Sequence, residues 1–205
     1  MDKDQTAILN DALNYINKDI NISKLNEKYP QKIIAQSGLL SIKPKIYVCN
    51  VDEHGLVNGN KYVNLCFEKY GKDNVILVCA EIENQIVDLE LKDKQYFIKE
   101  SGIKETGLDS LIKAGYKILK LETFFTSGPE ETRAWTITKN CTAPKAAGLI
   151  HTDFEKGFIK SETVSYEDFV NNDGWVNSKL SGKMRLEGKE YIVKDGDVLN
   201  FRFNT

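Results

Sequence analysis

A chain of 205 residues, 41% apolar and 28% charged, can bury a core in one large or two small domains, and its composition is that of an ordinary globular protein. The net charge of −2 gives no global attraction for nucleic acid, so any such affinity needs a local basic face. No apolar run approaches the roughly 18 residues of a membrane-spanning helix, and Met1-Asp2-Lys3-Asp4-Gln5 lacks the basic-then-apolar order of a secretory signal.

In chain order, Leu9, Leu13, Ile16 and Ile20 recur at helical spacing, which predicts an amphipathic helix over residues 6–20 with those four as its seam. About two heptads is too short for an independent coiled coil, so the helix needs a partner. A second helical stretch near 22–36 is interrupted by Tyr29-Pro30. Lys45 to Val51, introduced by Pro44, and Val75 to Ala80 are short β-branched runs without polar alternation, the pattern of strands buried on both faces. The segment Asn60 to Tyr70 between them is helical and is ended by Gly71, so the pair forms a right-handed βαβ unit with parallel strands.

Residues 83–98 and Leu108 to Lys120 read as helices, the second with Leu108, Leu111, Ile112, Tyr116 and Leu119 on one face. The period then changes. Leu121–Ser127 and Thr132–Ile137 are strand-like and are joined by a turn at Gly128-Pro129. Thr142 is placed as the N-cap of a short helix running to Ile150, with Pro144 in its first turn. A strand over Phe158–Val164, an acidic helix near 165–171, and strands near 190–194 and 198–203 complete the order. A hairpin, a helix and further strands in this order indicate an α+β, β-grasp (ubiquitin-like) domain, with a boundary near 119–122.

The four cysteines, Cys49, Cys66, Cys79 and Cys141, fall in no CxxC or Cys/His metal spacing. They read as reduced thiols of a cytoplasmic protein, and no metal site is assigned. His151, Asp153, Glu155 and Lys156 cluster in sequence, but no Ser or Cys elbow accompanies them and no second His is nearby. No catalytic residue is therefore assigned, and His151 is expected to make a structural hydrogen bond at the helix-to-strand junction. Lys145, Lys156 and Lys160 belong to a locally basic C-terminal third in which Trp135, Phe154, Phe158 and Trp175 are interspersed. Such a face suits RNA, although interleaved acids fit an ordinary solvated surface equally well. Trp135 alternates like a core residue and is expected to be buried.

Three stretches carry a resemblance: Glu131-Thr132-Arg133-Ala134-Trp135-Thr136-Ile137, Thr142-Ala143-Pro144-Lys145-Ala146-Ala147-Gly148, and His151-Thr152-Asp153-Phe154-Glu155-Lys156-Gly157-Phe158-Ile159. Together they resemble the C-terminal module of the YchF/Obg-like ATPases, and the similarity extends from Ile42 to Thr205. The resemblance implies that residues 1–40 are the returning part of a helical arm. It makes 41–120 the last third of a P-loop-type α/β G domain, and 121–205 a TGS domain, named for threonyl-tRNA synthetase, GTPases and SpoT.

It also implies a base-reading role for Asn50-Val51-Asp52-Glu53, where P-loop GTPases usually carry Asn-Lys-x-Asp. Glu53 is one methylene longer than Asp, and Val51 extends no Lys stem over the ring, so guanine selection weakens and ATP is favoured. Four residues alone fit a polar turn after a strand better, and the family context reverses that preference. Cys79-Ala80 stands where the GTPases place a Ser-Ala pair whose backbone meets the base. The implied base-binding set is Asn50, Val51, Glu53, Cys79 and Ala80.

The sequence holds neither the GxxxxGK[ST] loop for phosphates nor the Mg²⁺-holding Asp of that family. This chain alone is thus expected to be inactive and to bind no cofactor. ATP or GTP with Mg²⁺ is expected only if an N-terminal G-domain half, as a separate chain, completes the site. Partners implied are that half and the ribosome or RNA, with no membrane. A stand-alone TGS module that binds RNA or the ribosome without nucleotide, and a non-functional split-gene remnant, are the alternatives.

Overall fold

A computed structural model describes residues 3–204; Met1, Asp2 and Thr205, on which the N-terminal signal reading and the outer limits of the arm and TGS segments partly fall, lie outside the described residues. The chain divides into two compact units, Met1–Ala80 and Glu81–Thr205. Among the described residues no helix is long and apolar enough to cross a membrane.

The first unit begins with α1 (Lys3–Asn17), a 3₁₀ turn at Ile22–Lys24, α2 (Leu25–Lys28), α3 (Gln31–Gln36) and a second 3₁₀ turn at Leu40–Ile42. The Tyr29-Pro30 break falls where the sequence places it. The seam does not. The buried face of α1 is Ile8 and Ala12, packed with Ile22, Leu25, Ile34 and Ile42, while Leu13 and Ile16 are exposed. The short helices pack on the Ile8–Ala12–Tyr15 side, and Asp11 on that side accepts hydrogen bonds from Lys28 Nζ and Tyr29 Oη, both at 2.5 Å. Two apolar stripes existed on one helix, and only tertiary packing selected between them.

β1 (Tyr47–Asn50), α4 (Glu53–Asn58), α5 (Lys61–Tyr70) and β2 (Val75–Val78) follow. The strands are parallel in register Tyr47 with Val75 through Asn50 with Val78. Asn60 caps α5 by accepting from the N–H groups of Tyr62 and Val63, and Gly71 leaves it at φ +82°, a conformation that suits glycine. The expectation that β1 is buried on both faces is corrected: Tyr47 and Cys49 are half-buried, but Val48 is 49% exposed. A two-stranded sheet with one helix against it leaves its second face open.

The second unit carries α6 (Ala80–Ile86, which starts on the last residue of the first unit), α7 (Leu91–Glu100) and α8 (Gly107–Leu119). The single helix expected over 83–98 is two, broken at Val87–Glu90. The start of α8 is well satisfied. Thr106 Oγ1 accepts from the Asp109 N–H, and Glu83 Oε1 accepts from the Gly107 N–H at 2.6 Å. Its apolar face is exposed: Leu108, Ile112 and Leu119 are each more than half accessible.

β3 (Leu121–Ser127), β4 (Thr132–Thr138), α9 (Ala143–Ile150), α10 (Thr152–Lys156), β5 (Phe158–Ser165), α11 (Tyr166–Asn171), α12 (Trp175–Leu180), β6 (Arg185–Glu187) and β7 (Asp197–Phe203) complete the chain. The sheet order is β4-β3-β7-β5-β6, with β3 and β7 parallel and every other pair antiparallel. First and last strands side by side, with a helix laid over them, is the β-grasp arrangement expected. The core packs Ala143, Ala146 and Ala147 of α9 against Phe124, Ile137, Phe158, Leu199 and Phe201. Three alanines let the helix approach closely, and the rings fill the space.

Details differ from the sequence reading. Residues 190–194 are not a strand; Ile192 makes one isolated bridge to Thr142, and β6 takes the edge instead. α12 carries no strong helical period over its six residues and was not expected. Thr142 stands at the N-cap of α9 without a side-chain hydrogen bond. Trp135 is half-buried, its Nε1 donating to Thr126 Oγ1 and its ring under Arg133.

Candidate functional site

The carboxyl ends of parallel strands are where an open α/β sheet offers loops to a ligand. In this chain those ends are Asn50 and Val78, adjacent in the ladder. Asn50 Oδ1 accepts a hydrogen bond from the Ala80 N–H at 3.2 Å, and the Val51 N–H donates to Val78 O at 2.8 Å. Two loops far apart in sequence are thus clamped side by side. Asn50 and Ala80 are exposed, Val51 is half-buried and Cys79 is buried. The Cys79 side chain therefore packs inward, and the exposed surface at this strand end belongs to Ala80.

Glu53 opens α4 with an exposed carboxylate. It stands just beyond Asp52, whose Oδ1 accepts from the Gly55 N–H at 2.7 Å and so caps α4. Gly55 is needed there because a Cβ at that position would come within 2.7 Å of Asp52 Oδ1. Asp52 and Gly55 were not singled out from sequence; the Asp-x-x-Gly spacing at a helix start was the available signal. The loop is therefore held by Asn50 on one side and Asp52 on the other, with Glu53 free to face a ligand.

The groups at these strand ends are hydrogen-bonding groups of both kinds, acceptor and donor. An acceptor carboxylate, a carboxamide and exposed backbone can meet a ring edge. Among the described residues no group of three or more His, Cys, Asp or Glu side chains is arranged to hold a metal ion.

In the second unit Lys145, Lys156 and Lys160 are all exposed, on α9, α10 and β5, and none forms an ion pair among the described residues. Of the four interspersed aromatics, Phe158 is a core residue and unavailable for stacking. Trp135 and Phe154 line a groove of about 630 Å³ with Phe203, and Trp175 lines a neighbouring one of about 720 Å³. His151 Nδ1 accepts from the Asp153 N–H at 3.2 Å, capping α10 between α9 and β5.

A family model described as YchF-GTPase_C, protein of unknown function (DUF933), matches residues 121–204. The Bacillus subtilis ribosome-binding ATPase YchF is 52% identical over 178 residues, 85% of this chain and 49% of that protein. The chain matches the C-terminal portion of the YchF/Obg-like family. The Mycoplasma genitalium ribosome-binding ATPase YchF is 40% identical over 98% of the chain and 57% of its own length. Obg-like ATPase 1 of Gallus gallus is 44% identical over 80% of the chain and 42% of its own length. The solved structure of the Schizosaccharomyces pombe YchF GTPase superposes with a TM-score of 0.79 at 31% identity, covering 98% of this chain and 55% of that one. The chain spans about half the length of the curated relatives it matches.

Proposed function

We propose that this chain supplies the base-recognition loops and a TGS-type docking module of a YchF-like, ribosome-associated NTPase working in the cytoplasm. Asn50, Val51, Glu53 and the backbone at Cys79-Ala80 contact the base. Phosphate and Mg²⁺ are held by residues outside this sequence, on an N-terminal G-domain half. Residues 1–40 act as an arm segment, 41–120 as part of the G domain and 121–205 as the docking domain. The observation that carries this reading is the Asn50–Ala80 clamp at 3.2 Å, which presents both loops together at the strand ends.

Base recognition and turnover are tested separately. The purified 205-residue chain should hydrolyse neither ATP nor GTP above background, and turnover by it would overturn the reading. Joined to a G-domain half that carries a phosphate loop, it should bind ATP, and Glu53→Asp should shift preference toward GTP by roughly tenfold. An unchanged ATP-to-GTP ratio would remove Glu53 from the site.

The exposed lysines and the Trp135–Phe154 groove favour a second reading, an RNA- or ribosome-docking module that acts without nucleotide. A ribosome-pelleting assay with Lys145, Lys156 and Lys160 replaced by Gln tests it. Loss of pelleting by the isolated chain supports it, and unchanged pelleting counts against that face.

A further inference from the structure

β1 alternates, so Tyr47 and Cys49 point to the same side of the strand, and both are half-buried while Val48 is exposed. On α5, Cys66 and Tyr70 stand one turn apart on one face. The rings of Tyr47 and Tyr70 stack at 3.8 Å between centroids. That stack fixes the register of the strand against the helix. The helix runs back against the strand direction, so one step up the strand from Tyr47 and one turn back along α5 from Tyr70 bring Cys49 opposite Cys66. The influence of Cys66 on the Cys49 thiol accords with that proximity. All four cysteines are free, and of the other two, Cys79 is buried in this unit and Cys141 belongs to the second.

We propose that Cys49 and Cys66 form an oxidation site that takes a peroxide as substrate and closes to an intramolecular disulfide between β1 and α5. Burial, followed by the neighbouring Cys66, pushes the Cys49 thiol up, so Cys49 is the resolving sulfur and the first oxidation falls on Cys66. The Cys66 thiolate attacks one peroxide oxygen. The O–O bond breaks, a sulfenic acid forms on Cys66, and the other oxygen leaves as water after taking a proton. Cys49 Sγ then attacks Cys66 Sγ, the S–O bond breaks, and a second water leaves. The two thiols together lose two electrons and two protons, and the peroxide is reduced to two waters. The bridge ties β1 to α5 next to Asn50, the residue that clamps the Ala80 loop. The chemistry rests on the strand–helix register alone and stands whether or not the loops bind a base.

The test is peroxide titration of the whole folded chain, followed by thiol alkylation, intact mass and non-reducing peptide mapping. The expected product has lost the mass of two hydrogen atoms, carries two alkylated cysteines instead of four, and yields a peptide pair joining Cys49 to Cys66. Cys66→Ser should abolish that pair, while Cys141→Ser leaves its yield unchanged. The same titration in denaturant should scatter the linkages over all four cysteines, which shows that the fold selects the pair. Four alkylated thiols after peroxide treatment, a bridge to Cys79 or Cys141, or cross-linked dimers would each overturn the proposal. The linkage map of the unmutated chain is decisive by itself, independent of whether Cys66→Ser folds.

Discussion

Two sheets in this protein follow the same strand chemistry and end in different states. The sheet of β3–β7 has five strands and a fitted helix, and its central ring, Phe124, is fully buried. The sheet of β1 and β2 has two strands, and Val48 at its centre is 49% exposed. From sequence, only the β1–β2 pair reads as buried on both faces. An apolar strand states how much cover it needs; it does not state whether the same chain provides it. The exposed face of α8, with Leu108, Ile112 and Leu119, repeats the lesson within the second unit.

The largest effect should come from hollowing the covered sheet. Phe124→Ala removes a ring that meets both Trp135 and Phe201 and should cost about 3–5 kcal/mol, read by urea denaturation of the second unit. Val48→Ala in the open sheet should stay within about 0.5 kcal/mol. If the two substitutions cost the same, the contrast between the sheets is broken.

A smaller effect belongs to the segment that replaced the expected strand at 190–194. Asp197 is buried and accepts from Tyr191 Oη at 2.7 Å and from the Lys194 N–H at 2.9 Å, with Arg185 at 3.5 Å. Tyr191→Phe leaves a buried carboxylate short of a donor and should cost about 1–3 kcal/mol. Burial, with the Asp197 hydrogen bond, holds the Tyr191 phenol well above its ordinary range. The raised folded-state value means that this stabilisation is fully present below about pH 10, the unfolded value, and is lost as the pH climbs beyond it. Thermal unfolding at rising alkaline pH should show a loss that the Phe variant lacks.

Asn50→Ala should cost about 0.5–1.5 kcal/mol locally. Its readout is faster amide exchange at Ala80, whose N–H loses its acceptor, with the five-stranded sheet unchanged. Unaltered exchange at Ala80 would show that the clamp does not hold the loop. The smallest effect is Leu119→Ser on the open face of α8, within about 0.5 kcal/mol in the isolated chain. A larger loss would mean that this face is covered in solution.

Strand and helix identities were legible where the local pattern was strong: β1 and β2 lie where unbroken apolar runs put them, β3, β4 and β5 where strand-like composition does, and α5 and α8 where helical spacing does. The sequence missed the short pieces. α12 and β6 are stabilised by contacts distant in sequence, such as Trp175 Nε1 donating to Ser127 O, and carry little period of their own. For the candidate site, the residue types at 50–53 and 79–80 were readable as a strand-end pair. The bond that joins them spans thirty positions and could not be read from either stretch.

By itself the sequence determined a parallel βαβ piece, a β-grasp module and the absence of a phosphate loop, because periodicity and motif spacing are local properties. Tertiary structure alone decided which stripe of α1 is buried, that Ile192 bridges Thr142 instead of forming a strand, and that Asn50 reaches Ala80. Each of these outcomes depends on which surfaces meet, and packing between distant segments chooses among faces that the local pattern leaves equivalent.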